Sequence, residues 1–190
     1  MPARPARGHS LVCVLAVALP GTAAAAGPVP SPIGVGPRYH PAPGAAAAPG
    51  LRCTSAERPR FGVHLELFAS KRVVIVPAGI GIAPPHRVLG PYVLGGRCSF
   101  PLRTREPTGV VEIARGARLT LGQLFAVWGQ PLSRTRLAGF ASRSPLLAFV
   151  DGRPWRGDPR SIPLRRHAEI VLELGGYVPP HASYLFRKGL

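Results

Sequence analysis

Apolar and polar positions change period several times along this chain, and each change marks an element. Residues 61–68, FGVHLELF, alternate: Val63, Leu65 and Leu67 fall on one side and His64 and Glu66 on the other, the period-2 pattern of a strand with two unlike faces. Ser70 and Lys71 read as a short turn, and the β-branched run RVVIV at 72–76 returns as the second arm of a hairpin. Residues 83–96 hold Pro84, Pro85, Gly90 and Pro91 and read as loop, with a short extended piece at 92–94. Two further strands are expected at 97–104 and at 109–114 (GVVEIA), the second the clearer. Residues 132–144, rich in Arg, Ser and Gly, read as loop. Residues 146–150 and 153–155 flank Asp151-Gly152, the dipeptide of a type I′ hairpin turn. In the last strand, 169–174 (EIVLEL), Ile170, Leu172 and Leu174 share a face, with Glu169 and Glu173 away from it. From about residue 175, Pro179-Pro180, Tyr184 and Phe186 suggest an extended arm.

One segment switches to the helical period. Leu121, Leu124, Phe125 and Trp128 follow the i, i+3, i+4, i+7 rule. Thr120 and Gln123 have capping-box spacing, and Leu119 and Leu124 that of a hydrophobic staple. Gly129 offers a left-handed end and Pro131 prevents the helix from resuming. About two turns of helix are not stable alone and must dock on a sheet, so Phe125 and Trp128 read as core.

This order of elements predicts an α+β fold: a mixed β-sheet with one short helix packed across it, β-grasp-like in its most economical form, with a sandwich as the alternative. No internal repeat interrupts it. Residues 51–190 form one domain, large enough to fold alone.

The N-terminal residues change the picture of where this domain works. Arg4 and Arg7, an apolar run at 11–19 and small residues at 22–26 have the layout of a secretory signal peptide at 1–26. The apolar run is shorter than the roughly 20 residues that span a bilayer. Residues 27–50, rich in Pro, Ala and Gly, read as a disordered or polyproline-type linker. The expected location is therefore secreted or extracytoplasmic. Cleavage removes Cys13, and the remaining Cys53 and Cys98 read as one disulfide, with a reactive or metal-binding pair as the alternative.

Charge narrows the choice of partner. The chain carries a formal +16. Without Arg4 and Arg7 its 24 basic residues become 22, and against 8 acidic ones the charge is +14. Such a balance suits polyanions. Export argues against nucleic acid and toward an anionic envelope polymer, a lipid head group or an acidic protein. A composition bias toward arginine is the plain alternative.

Several runs act together as motifs: VPAGIGI at 76–82, TGVVEI at 108–113, TLGQLFAVWGQPLS at 120–133, VDGRPWRGDPRSIPL at 150–164, HAEI at 167–170 and the terminal FRKGL. In these the chain resembles a group of exported bacterial proteins of unassigned function, from about Cys53 to the C-terminus. The resemblance implies a first strand carrying His-x-His-x-His and a Leu-His-Thr-His-Asp segment after the second cysteine. Imidazoles two apart on a strand share a face and suit a Zn²⁺- or Cu²⁺-type ion. This chain departs from that pattern: the matching positions hold Arg60, Gly62 and His64, then Arg103, Arg105 and Glu106.

Arginine has no free lone pair for a cation. The sequence therefore suggests an anion site at Arg60, Arg103 and Arg105 with His64 beside them, since guanidinium groups pair with carboxylate, phosphate or sulfate. The alternative is that Glu66 and Glu106 neutralise these arginines as surface ion pairs. A metal held by His64, Glu66 and Glu106 is the weaker expectation. No catalytic residue is assigned: Ser99, Ser144 and Ser161 lack a nucleophile motif, Glu106 and Glu112 do not look like a hydrolytic pair, and His167 reads as structural. The expected function is an exported, non-catalytic binding module of the cell envelope with a basic face and no cofactor; the alternative is a divalent-metal-binding protein with a degraded histidine site.

Overall fold

The computed structural model describes Met1, residues 33–44 and residues 48–190. The expected signal peptide, except for Met1, lies outside the described residues, as do 27–32 and 45–47 of the expected linker. Strand β1 (Arg60–Ala69) turns at Ser70 and Lys71, both at positive φ, into β2 (Arg72–Val74). A separate hairpin follows, β3 (Arg87–Leu89) and β4 (Tyr92–Gly95). Next come β5 (Leu102–Thr104), β6 (Val110–Ala114) and helix α1 (Leu121–Trp128). Three two-residue strands, β7 (Leu132–Ser133), β8 (Arg136–Leu137) and β9 (Phe140–Ala141), make a small sheet of their own. Asp151 and Gly152, at φ 52° and 74°, join β10 (Leu147–Val150) to β11 (Arg153–Pro154), as a type I′ turn requires. A single 3-10 turn at Pro159–Ser161 precedes β12 (Glu169–Leu174).

The main sheet has seven strands in the order β11-β10-β12-β1-β6-β5, with β2 also on β1. It is mixed, as expected: β1 and β12 are parallel, whereas β1–β6, β1–β2, β5–β6, β10–β11 and β10–β12 are antiparallel. β1 is the axis of the sheet. β12 runs along one edge, from His64↔Glu169 to Ala69↔Leu174. The other edge is divided between β6, opposite Arg60–His64, and β2, opposite Leu67–Ala69.

Period-2 alternation sets the two faces of the sheet. Val63, Leu65 and Leu67 of β1, Val111 and Ile113 of β6, and Ile170, Leu172 and Leu174 of β12 join the main core. Leu121, Leu124, Phe125 and Trp128 of α1 lie in the same core. Burial of such side chains at roughly 1.5–3 kcal/mol each is what holds a two-turn helix in place. The Gln123 side chain accepts from the Thr120 N–H at 2.9 Å, closing the expected capping box. Gly129 ends the helix at φ 74°. Among the described residues there is one α-helix, of eight residues, and the fold is mostly β.

Three expectations need correction. Residues 132–144 are not loop but β7–β9, strands too short to show a period; Leu137 and Phe140 reach the core from them. The strand expected over 97–104 is only Leu102–Thr104, because Ser99 makes isolated bridges to Thr54 and Ile82 instead. The described part of the linker lies against the domain. Ile33 bridges to Val73, the Ile75 N–H donates to the Tyr39 carbonyl at 2.8 Å, and the Trp128 indole donates to the Ala42 carbonyl at 2.8 Å. Ala48 is buried in the core.

Cys53 and Cys98 form the expected disulfide, with their Cα atoms 5.5 Å apart. It closes a loop of 45 residues, a separation for which chain entropy gives about 4 kcal/mol. Replacing both cysteines by serine is expected to lower stability by about 2–4 kcal/mol, read from urea unfolding midpoints of the oxidised protein and the double variant.

Candidate functional site

The second face of the main sheet is built from the other half of the alternation: Arg60, Gly62, His64, Glu66 and Phe68 on β1, Glu112 on β6, Arg103 on β5, and Glu169, Val171 and Glu173 on β12. Five ionisable side chains here besides His64, namely Arg60, Arg103, Glu112, Glu169 and Glu173, are almost entirely shielded from water. The cover is the C-terminal arm. Tyr184 stacks on His64, with centroids 3.7 Å apart and planes at 14°. Phe186 lies on Gly62, where a Cβ would collide with its ring. Arg187 donates to Glu112 at 2.8 Å, and the Val178 N–H donates to Glu173 at 3.1 Å. Phe68, Phe149 and Val171 add a small apolar cluster against Val178.

The expected arginine site divides into separate pieces. Arg60 and Arg103 do meet, both reaching the Ser99 hydroxyl, at 3.3 and 3.4 Å. Most of their remaining donors are spent inside the fold, while Arg60 Nε is buried without a partner. Arg60 donates to the carbonyls of Phe100, Pro101 and Glu112, and Arg103 donates to Glu112 at 2.9 Å and Glu57 at 3.0 Å. Burial lowers the Arg60 guanidinium, assisted by the adjacent Arg103 charge. Burial would lower Arg103 as well, but Glu57 and Glu112 outweigh it and hold it raised; the Arg103 hydrogen bond in turn lowers the Glu57 carboxyl. Arg105 stands apart, donating to the carbonyls of Val93 and Leu94 on β4. The partners of these arginines are thus Glu57, Glu112 and backbone carbonyls rather than Glu66 and Glu106.

His64 belongs to a different cluster. Register puts it opposite Glu169 across the parallel β1–β12 pair. Its Nδ1 lies 2.8 and 2.9 Å from the two Glu169 oxygens and 4.0 Å from Glu66. Its Nε2 is 2.9 Å from the Thr108 carbonyl. That carbonyl can approach because residue 109 is glycine, at φ 83°; a Cβ there would strike the Leu65 carbonyl and stand 3.1 Å from His64 Nε2. A carbonyl only accepts, so Nε2 must carry a proton, and in the neutral ring Nδ1 is then a bare lone pair. It faces carboxylates, which are also acceptors. The arrangement demands a proton or another cation between Nδ1 and Glu169. Burial pushes the Glu169 carboxyl up, and the His64 hydrogen bond opposes that shift.

Ligand atoms of His64, Glu66 and Glu169 all lie within 4.8 Å of one another. From the arm, His181 Nδ1 binds both Glu66 oxygens at 2.9 Å, and this contact raises the His181 imidazole. Glu106, the third residue of the expected metal set, lies instead in a groove beside Tyr184 and Arg187. Next to the cluster is a cavity of about 630 Å³, walled by Phe68, Val73, Ile75 and Pro179, with Glu66 and His181 on its rim. Glu169 and His181 had no visible link to His64 in the sequence. Glu169 joins it only through the strand pairing, and His181 only through the path of the arm.

Two consequences can be measured. Removing one partner of a buried ion pair leaves an uncompensated charge, so Arg103→Ala is expected to cost about 3–5 kcal/mol in chemical denaturation. Burial of Glu173, whose Oε1 has no hydrogen-bond partner, raises its carboxyl from 4.5 to about 7. Above its unfolded value the folded protein must deprotonate this group against burial, so its contribution to stability falls as pH rises from about 4.5 to 7 and then levels off. Glu173→Gln is expected to be near neutral at pH 4 and stabilising by about 2–3 kcal/mol at pH 8, from unfolding curves at both pH values.

No protein-family model, no curated protein and no solved structure matches the chain.

Proposed function

We propose that this protein is an exported binding module that holds one divalent cation of the Zn²⁺ type through His64 Nδ1, Glu66 and Glu169. The observation that carries this reading is the convergence of His64 Nδ1, Glu66 and Glu169 within 4.8 Å, with His64 Nε2 held 2.9 Å from the Thr108 carbonyl. The Thr108 carbonyl occupies Nε2 and turns the Nδ1 lone pair toward two carboxylates, the outer-shell arrangement that orients histidine ligands in metal centres. Imidazole and carboxylate together suit Zn²⁺, whose ligand atoms sit about 2.0–2.2 Å from the ion. Tetrahedral ligands at that range stand about 3.3 Å apart. Relative to Nδ1, Glu169 would move about half an ångström outward and Glu66 about 0.7 Å inward. His181 acts on Glu66 from the arm as a positioning residue, and the cavity is lined by His64, Glu66 and His181. The Cys53–Cys98 disulfide fits an oxidising, extracytoplasmic location, and the signal-peptide layout of 1–26 supports export. The expected resemblance to exported bacterial proteins, and a β-grasp-like description of the sheet with its helix, are kept as part of the same reading.

A second reading concerns the charge. Glu57, Glu66, Glu112, Asp151, Asp158, Glu169 and Glu173 all accept hydrogen bonds within the fold, while arginines such as Arg87, Arg97, Arg115, Arg153 and Arg156 remain exposed. The outer surface is therefore basic, and an anionic partner is favoured by this diffuse charge rather than by Arg60 and Arg103.

The metal reading is tested by calorimetric titration of the oxidised protein with Zn²⁺, together with thermal unfolding. One equivalent should bind and raise the midpoint. Glu66→Gln, a change at a partly exposed position that leaves the fold intact, should weaken binding at least about 100-fold, and His181→Gln by about 10-fold. Stoichiometric binding that is indifferent to Glu66→Gln, or no binding at all, would place the function elsewhere.

A further inference from the structure

The β3–β4 hairpin breaks the rule that governs the rest of the chain. Its sequence, RVLGPYVL, is almost wholly apolar, yet only Val93 points inward, at 7% exposure. Val88, Leu89, Tyr92 and Leu94 are 63%, 66%, 43% and 44% exposed. Single exposed apolar residues are ordinary on a protein surface, but four in one tight hairpin form a patch.

The hairpin is not a loose loop. The Val93 N–H donates to the Arg105 carbonyl at 2.8 Å, and the Arg105 guanidinium returns a bond to the Leu94 carbonyl at 2.8 Å. Below its base the Arg97 N–H donates to the Ala83 carbonyl at 2.9 Å. Leu89 and Tyr92 face each other directly across the Gly90-Pro91 turn. The fold thus presents a fixed apolar tip.

Along the chain through this tip the charge has one sign, with Glu57 and Glu106 lying only beside Arg105 behind it. Arg87 and Arg97 are exposed at its base, and Arg105 is fastened along β4. No Asp or Glu occurs anywhere in residues 67–105. An apolar tip with a tyrosine, collared by guanidinium groups, matches the layering of a bilayer surface: acyl-chain boundary, then the interfacial zone that tyrosine favours, then phosphates. Arginine pairs with phosphate through two parallel hydrogen bonds. Strands of three and four residues reach about 10–13 Å, enough to enter the interface and far short of crossing a hydrocarbon core of about 30 Å. Among the described residues no helix is long and apolar enough to cross a membrane.

We propose that the β3–β4 hairpin docks this protein on an anionic lipid surface, with Leu89 and Tyr92 entering the interface and Arg87 and Arg97 meeting the head-group phosphates. The surface is distinct from the His64 cluster and does not depend on it.

Every element among the described residues lies within residues 33–190, so a chain beginning at Gly27 carries all of them and omits the apolar run at 11–19, which would bind lipid by itself. The oxidised chain is sedimented with vesicles of phosphatidylcholine alone and of phosphatidylcholine with phosphatidylglycerol. Binding is expected only to the anionic vesicles and should weaken with salt. Leu89→Asp combined with Tyr92→Ser should lower partitioning about tenfold or more with unchanged thermal unfolding, since both side chains are exposed. Arg87→Gln and Arg97→Gln should each lower it about fivefold at low salt. The proposal is overturned if the double variant binds vesicles as the parent does, or if neither binds. It is equally overturned if light scattering finds a dimer of the parent that the double variant dissolves, because the tip is then an interface between copies.

Discussion

Both faces of β1 are buried, and only one of them is apolar. Everything else about this protein follows from how the second face is made tolerable. Charged groups taken out of water cost several kcal/mol each unless they find partners of opposite sign or several hydrogen bonds. The sheet supplies those partners by register. Arg103 stands opposite Glu112, and His64 opposite Glu169, so these two pairs meet across neighbouring strands, whereas Glu173 has no charged counterpart in register. The arm then supplies the roof: aromatic rings over His64 and Gly62, a guanidinium over Glu112 and a backbone N–H for Glu173.

The two halves of this polar layer differ in how completely they are satisfied. On the β5–β6 side, the guanidinium groups of Arg60, Arg103 and Arg187 meet the carboxylates of Glu57 and Glu112, the Ser99 hydroxyl and backbone carbonyls, and Arg60 Nε is left without a partner. On the β1–β12 side, acceptors face acceptors. His64 Nδ1, Glu66 and Glu169 converge with their lone pairs, while the one imidazole proton fixed by the fold points away to Thr108. That asymmetry, rather than the number of charges, is what distinguishes the two halves of the layer.

Much of the fold was legible because the periods are local. Val63, Leu65 and Leu67 against His64 and Glu66, or Leu121, Leu124, Phe125 and Trp128, announce their elements within a few residues, and Asp151-Gly152 announces its turn. The three strands at 132–141 escaped because two residues carry no period. The site was legible only in part. Alternation put His64 and Glu66 on one face, but the choice of Glu169 over Glu106 depends on β1 pairing in parallel with a strand about a hundred residues later, and pairing of that kind leaves no local trace. Similarly, Arg60 and Arg103 read as free cations from sequence. The Pro101 and Phe100 carbonyls that consume Arg60 belong to a loop whose path the sequence does not display. His181 could be noticed only once the arm was seen to fold back.

The parallel pairing of β1 with β12 also bears on the order in which the protein can come into being. β1 is complete by residue 69, but its central neighbour does not exist until residue 174, and the roof over its polar face comes later still. A chain delivered N-terminus first therefore spends nearly its whole passage with its middle strand missing. Before residues 175–190 are in place, the rings over His64 and Gly62 and the guanidinium on Glu112 are missing, and the polar face of β1 stays hydrated. Long-range pairing of this kind is slow to form. The strand at the centre of the sheet thus waits for a neighbour about a hundred residues away, and its polar face is closed later than its apolar one.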